Sequence, residues 1–127
     1  MGIKYNCFIF ILLTNTKEIM GYYSYFTFSV SEGNEIDDEQ AVTELREENE
    51  YAKLALDDDG YPDGHLTWYD HEENLKEYSK KYPNTVFHLS VEGEENGDMA
   101  QKYFKNGKMQ ICKAEITFPD YDEALLT

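Results

Sequence analysis

The chain has 127 residues, 41% of them hydrophobic, with 26 acidic against 11 basic side chains and a formal charge of −15 at neutral pH. That length suits one domain with a single core that needs neither disulfides nor metal, and the charge excludes binding to nucleic acid or an anionic membrane through a basic patch. The cysteines, Cys7 and Cys112, lie far apart in apolar surroundings and read as reduced packing residues of a cytoplasmic protein.

The first apolar run, residues 7–13, falls well short of the roughly 20 residues that span a bilayer. Thr14 to Glu18 after it offer no small-residue cleavage pattern. Met20 stands directly before Gly21-Tyr22-Tyr23, where regular patterning begins. Residues 1–19 therefore read as an upstream extension, or a start assigned too early, and 20–127 as a single domain. If retained, the apolar run adds an edge strand. Residues 22–31 alternate, with Phe26, Phe28 and Val30 on one face and Tyr23, Tyr25, Thr27 and Ser29 on the other, the pattern of a half-buried strand.

Asp37 reads as a helix N-cap, with Gln40 three residues on and Ile36 and Ala41 as a hydrophobic staple. The helix carries a narrow stripe of Val42, Leu45, Ala52 and Leu56 under an acidic outer face of Glu44, Glu47, Glu48 and Glu50, and Asn49 divides it in two. Residues 57–64 form an acidic turn ended by Pro62 and Gly64. A calcium loop does not fit there. With Gly64 at the sixth position, Asp59 and Asp63 suit positions one and five, but Tyr61 takes position three and Asp70 replaces the bidentate glutamate.

Residues 65–69 read as a short strand with Leu66 and Trp68 inward, followed by a second capping box, Asp70 with Glu73. The helix it opens packs through Leu75, Tyr78 and Tyr82, carries the i,i+4 pairs Glu72–Lys76 and Glu77–Lys81, and stops at Pro83. Residues 85–118 then read strand, acidic loop, strand, turn, strand, with Phe87, Leu89 and Val91 inward. At Asn106-Gly107 both central positions of a type I′ turn can hold positive φ. That turn pairs Lys105 with Lys108, Phe104 with Met109, Tyr103 with Gln110 and Lys102 with Ile111. The apolar parity then switches to Cys112, Ala114, Ile116 and Phe118, which predicts a β-bulge near Cys112-Lys113. The closing segment, 119–127, is acidic with Leu125 and Leu126 near its end.

The order of elements predicts an α+β fold of two layers: a mainly antiparallel sheet with two helices on one face, a ferredoxin-like variant, closing in the β-hairpin at Asn106-Gly107.

No catalytic residue, cofactor or metal site is expected. Cys112 would need a base beside it, yet His88 faces away from Phe87 and Leu89 while Cys112 reads as core. His65 and His71 lack recurring zinc spacing. Glu92, Glu94, Glu95 and Asp98 share one loop without an apolar pocket to perturb them, and the same acids around Gly93 and Gly97 repel phosphate. The 11 tyrosines, many on strand faces opposite the core, suit a protein interface.

Several motifs stand together: Met20-Gly-Tyr-Tyr, Trp68-Tyr69-Asp70-His71-Glu72, Tyr78-Ser79-Lys80-Lys81-Tyr82-Pro83, the 93–98 loop and the 103–108 turn. On these, residues 20–126 or so resemble a group of small acidic proteins, without an assigned role, encoded by bacteriophages and prophages. A more distant similarity is to ferredoxin-like domains of phage and plasmid proteins. The resemblance implies fold and source and carries no catalytic residues.

Residues 32–63 hold 13 acids against Arg46 and Lys53 alone. The expected function is thus a phage-derived, non-enzymatic acidic binding protein that blocks a basic host surface, nucleic-acid-handling or defence-related, where phosphates would lie. Its contact residues would be Glu44, Glu47, Glu48, Asp57, Asp58, Asp59 and Asp63, acting in the host cytoplasm without direct nucleic-acid or membrane binding. The alternatives are an accessory or structural phage protein whose charge only keeps it soluble, and a small enzyme with an unrecognised site.

Overall fold

The computed structural model describes the backbone of residues 2–9 and, in full, residues 23–127. Strand β1 (Gly2–Ile9) is followed by β2 (Ser24–Glu32), helices α1 (Asp38–Glu48), α2 (Glu50–Ala55) and α3 (His71–Ser79), then β3 (Val86–Gly93), β4 (Met99–Lys105) and β5 (Lys108–Thr117). The sheet runs β1-β5-β4-β3-β2 with every neighbouring pair antiparallel, so β2 to β5 form a meander and β1 adds an edge beyond β5. Met20 and the rest of 10–22 lie outside the described residues.

The two-layer α+β arrangement is the one the sequence predicts. Phe26, Phe28, Phe87, Leu89, Phe104, Met109 and Ile111 share one face of the sheet and are buried against Val42, Leu45, Leu56, Leu75 and Tyr78 of the helical segments. The layering agrees with the expected ferredoxin-like variant, and its strands follow a meander. The other face is polar: Thr27, Ser29, His88, Ser90, Gln101 and Tyr103 fall on it by register. Among the described residues no helix is long and apolar enough to cross a membrane.

The local signals hold at α1 and at the hairpin. Asp37 is extended and its carboxylate accepts from the Gln40 amide at 2.8 Å, with Ile36 and Ala41 both buried beside it. Asn49 ends α1, and its side chain accepts from the Tyr51 and Ala52 amides to start α2. Asn106 and Gly107 have φ of 47° and 81°, and the four predicted cross-strand pairs are present.

Other expectations are corrected. There is no bulge at Cys112-Lys113: Gln101 faces Cys112 and Ala100 faces Lys113 in unbroken register. The apolar parity switch instead moves side chains to the sheet's second face, where Cys112 is buried but Ile116 and, past the strand, Phe118 are exposed. The register irregularity falls between Val30 and Glu32. Cys112 is disulfide-bonded rather than reduced, and Cys7, the chain's other cysteine, stands opposite it in the β1–β5 register. Sequence separation carries no distance once β1 pairs with β5.

Residues 65–69 form no strand; Leu66 alone bridges to Ser24. Asp70 makes no capping hydrogen bond, because its backbone (φ −94°, ψ 19°) is not the extended one from which a side chain reaches back. The ion pairs of α3 are also redrawn. Lys76 reaches Glu73 and Lys80 reaches Glu77, both at i,i+3, while Lys81 crosses to Glu48 on α1.

Candidate functional site

The seven acids predicted to meet a partner lie on α1 and the loop after α2, and the fold divides them. Glu44 turns inward: its carboxylate accepts from the hydroxyls of Tyr78 and Tyr82, each at 2.9 Å, and lies 3.5 Å from the Lys81 ammonium. Burial pushes the Glu44 carboxyl up, but the Tyr82 and Tyr78 hydroxyls and Lys81 together hold it below the usual range. Burial and the same carboxylate push Tyr78 up. Glu48 is 2.6 Å from Lys81. Asp57 shapes its own turn, accepting from the Asp59 and Tyr61 amides. Asp58 pairs with Arg46 at 2.6 Å, and Arg46 Nε also donates to the Leu56 carbonyl.

Glu47, Asp59 and Asp63 are left exposed and outside every ion pair formed among the described residues. Glu39 and Glu50 are exposed near them. A shallow groove of ≈ 390 Å³ runs between α1 and Tyr82, lined by Glu35, Glu39, Glu44 and Glu47. The flank thus has one inward-braced carboxylate, Glu44, two surface ion pairs, Glu48–Lys81 and Asp58–Arg46, and solvated carboxylates beside them.

A second cluster escaped the sequence reading. Lys102 lies on the helix side of β4, buried, with Nζ 2.6 Å from His71 Nε2 and 2.7 Å from Glu72 Oε2. His71 Nδ1 is 2.8 Å from the Trp68 carbonyl. Burial, then Lys102, depress the His71 imidazole to about 4; burial pushes Lys102 down against the pull of Glu72. Lys102 shares strand parity with Ala100 and Phe104, and a lysine at a core-facing position needs partners. That was the available signal.

The residues weighed for chemistry are dispersed. His65 packs its ring against Tyr23 and Tyr25, 4.9 and 5.4 Å between centroids, apart from the His71 cluster. His88 hydrogen-bonds Gln101 and packs on Tyr103 on the polar sheet face. Cys112 shares that face but is held in its disulfide, so it offers no thiolate to His88. Glu94 accepts from the Tyr23 amide at 2.6 Å, closing the loop after β3 onto the start of β2. Among the described residues no three His, Cys, Asp or Glu side chains converge as a metal site.

No family model matches the chain, and neither the curated proteins nor the solved structures contain a match to it.

Proposed function

We propose that this chain is a non-enzymatic, phage-derived acidic binding protein that occupies a basic surface of a host protein, one that handles nucleic acid or serves in defence, in the place of phosphates. The observation that carries the reading is the exposed set Glu39, Glu47, Glu50, Asp59 and Asp63 on α1, α2 and the loop after them, beside Glu44, Glu48 and Asp58, which Tyr78, Tyr82, Lys81 and Arg46 already engage. The acid-lined groove beside Tyr82 has room for one lysine or arginine side chain, with an aromatic ring as its wall. Binding in the host cytoplasm follows from the phage reading alone, since a disulfide at Cys112 suits an oxidising compartment better.

The test is a pull-down from host lysate in low and high salt, with duplex DNA as competitor and the triple variant Glu47→Lys, Asp59→Lys, Asp63→Lys as control. A basic protein should be retained at low salt, displaced by salt and by DNA, and lost with the variant. Capture insensitive to salt, or equal with the variant, would sink the mimicry reading.

A further inference from the structure

Lys102 is only 8% exposed, between Ala100 and Phe104 on the face of β4 that meets the helices. An ammonium placed there gives up its hydration and has to recover it from neighbours. It does so from two consecutive residues of the first turn of α3, His71 and Glu72. For His71 Nε2 to accept from the ammonium, the ring must be neutral with its proton on Nδ1, and Nδ1 then donates to the Trp68 carbonyl. One neutral imidazole therefore ties β4 to α3 and closes the 68–71 segment. Its ring also lies 5.2 Å from Phe26 and 6.2 Å from Trp68, centroid to centroid.

We infer that His71, Lys102 and Glu72 form a proton-operated clasp: a proton arriving at His71 Nε2 removes the acceptor of the Lys102 ammonium, sets two cations in contact, and frees the first turn of α3 from β4. The other charges facing the cluster are Lys113 from β5, Asp98 from the loop before β4, and Lys76 beside Glu72 on α3. Glu72 Oε2 is already engaged by Lys102 at 2.7 Å, and the single carboxylate charge favours both cations without cancelling their mutual repulsion. The closed clasp resists the proton, since the imidazole is held at about 4 there by burial and by Lys102, against an ordinary value near 6.5 when open. The closed state keeps its full advantage well above pH 6.5 and loses it as pH falls through 4, raising the opening ratio about 80-fold between pH 6.5 and 4. Opening stays local, because the C-terminal half of α3 is held separately by buried Leu75 and by Tyr78 on Glu44.

Trp68 reports on the clasp directly. It is the chain's single tryptophan, 3% exposed, and its Nε1 donates to Asn74 Oδ1 at 2.9 Å. Between pH 6.5 and 4 its emission should shift to the red and become accessible to acrylamide, with far-UV circular dichroism unchanged. Amide exchange should accelerate in 68–75 while β2 and β3 stay protected. His71→Gln, neutral throughout, should abolish the transition. Lys102→Met should raise the pH at which the His71 imidazole titrates by NMR and uncouple that titration from Trp68 exposure. The clasp is overturned if Trp68 is unchanged down to pH 4, if His71→Gln behaves as the parent, or if exchange rises uniformly through the sheet. Should His71→Gln fail to fold, the parent's His71 NMR titration decides: a midpoint near 6.5 overturns the clasp, and one near 4 in step with Trp68 exposure supports it.

Discussion

Replacing Gly60 by alanine tests how the acidic turn is seated. Gly60 has φ +86°, and a Cβ built there would come within 2.4 Å of the Phe28 carbonyl oxygen and 3.0 Å of Val42 Cγ2. The first contact is with the backbone of β2 and cannot be relieved by a rotamer change. The same strand residue donates its amide to the Gly60 carbonyl at 2.9 Å, so moving the turn aside breaks that bond. A left-handed conformation costs an L-residue about 1–2 kcal/mol, and a buried amide left without its acceptor costs about 1–3 kcal/mol. Together they put Gly60→Ala at about 3 kcal/mol, or roughly 10 °C in Tm for a domain of this size. Urea unfolding at neutral pH measures it. A variant within about 0.5 kcal/mol of the parent would show that the turn does not press on β2 as described.

Gly107→Val shares the positive φ but would meet only the flexible Lys80 side chain, so about 1–3 kcal/mol is expected; a neutral result in the same urea assay would undo the hairpin register. Glu44→Ala strands the Tyr78 and Tyr82 hydroxyls and should cost about 1–3 kcal/mol at pH 7. Because the Glu44 carboxyl is held below the ordinary carboxylate value of 4.5, its contribution is complete above that value and disappears as pH falls through the folded one. Parent and variant stabilities should therefore converge in acid; a gap that persists would place the effect in packing. Glu47→Lys with Asp63→Lys should leave the unfolding free energy within about 0.5 kcal/mol, whereas Glu48→Lys also loses its partner Lys81 and should cost up to about 1 kcal/mol.

What the sequence discloses here is local order. Alternation in β2 and β3, the cap at Asp37, the break at Asn49 and the turn at Asn106-Gly107 are each decided within a few residues, and each appears where the pattern puts it. The misreadings depend on distant partners. The parity switch after Ile111 looks like a bulge only if one face of β5 can be buried, whereas Cys112 is buried on the other. Asp70 and Glu73 have the spacing of a capping box, but the backbone at Asp70 is set by the 66–71 segment docking on Ser24 and Phe26. Of the seven acids counted as one patch, Glu44, Glu48 and Asp58 find cations or hydroxyls 10 to 40 residues away in sequence, which no local count foresees. Lys102 was visible as an anomaly of parity, yet its partners on α3 were not.

The meander also sets an order of assembly. β3, β4 and β5 are joined by short connections, the five residues 94–98 and the two-residue turn, so their pairing closes small loops at little entropic cost. β2 must reach β3 across the whole helical segment, with Ser24 meeting Gly93. Loop-closure entropy therefore favours a C-terminal three-stranded nucleus on which β2 and the helices condense later. Mutations at the Asn106-Gly107 turn should slow refolding, while those in the α1 face should chiefly hasten unfolding.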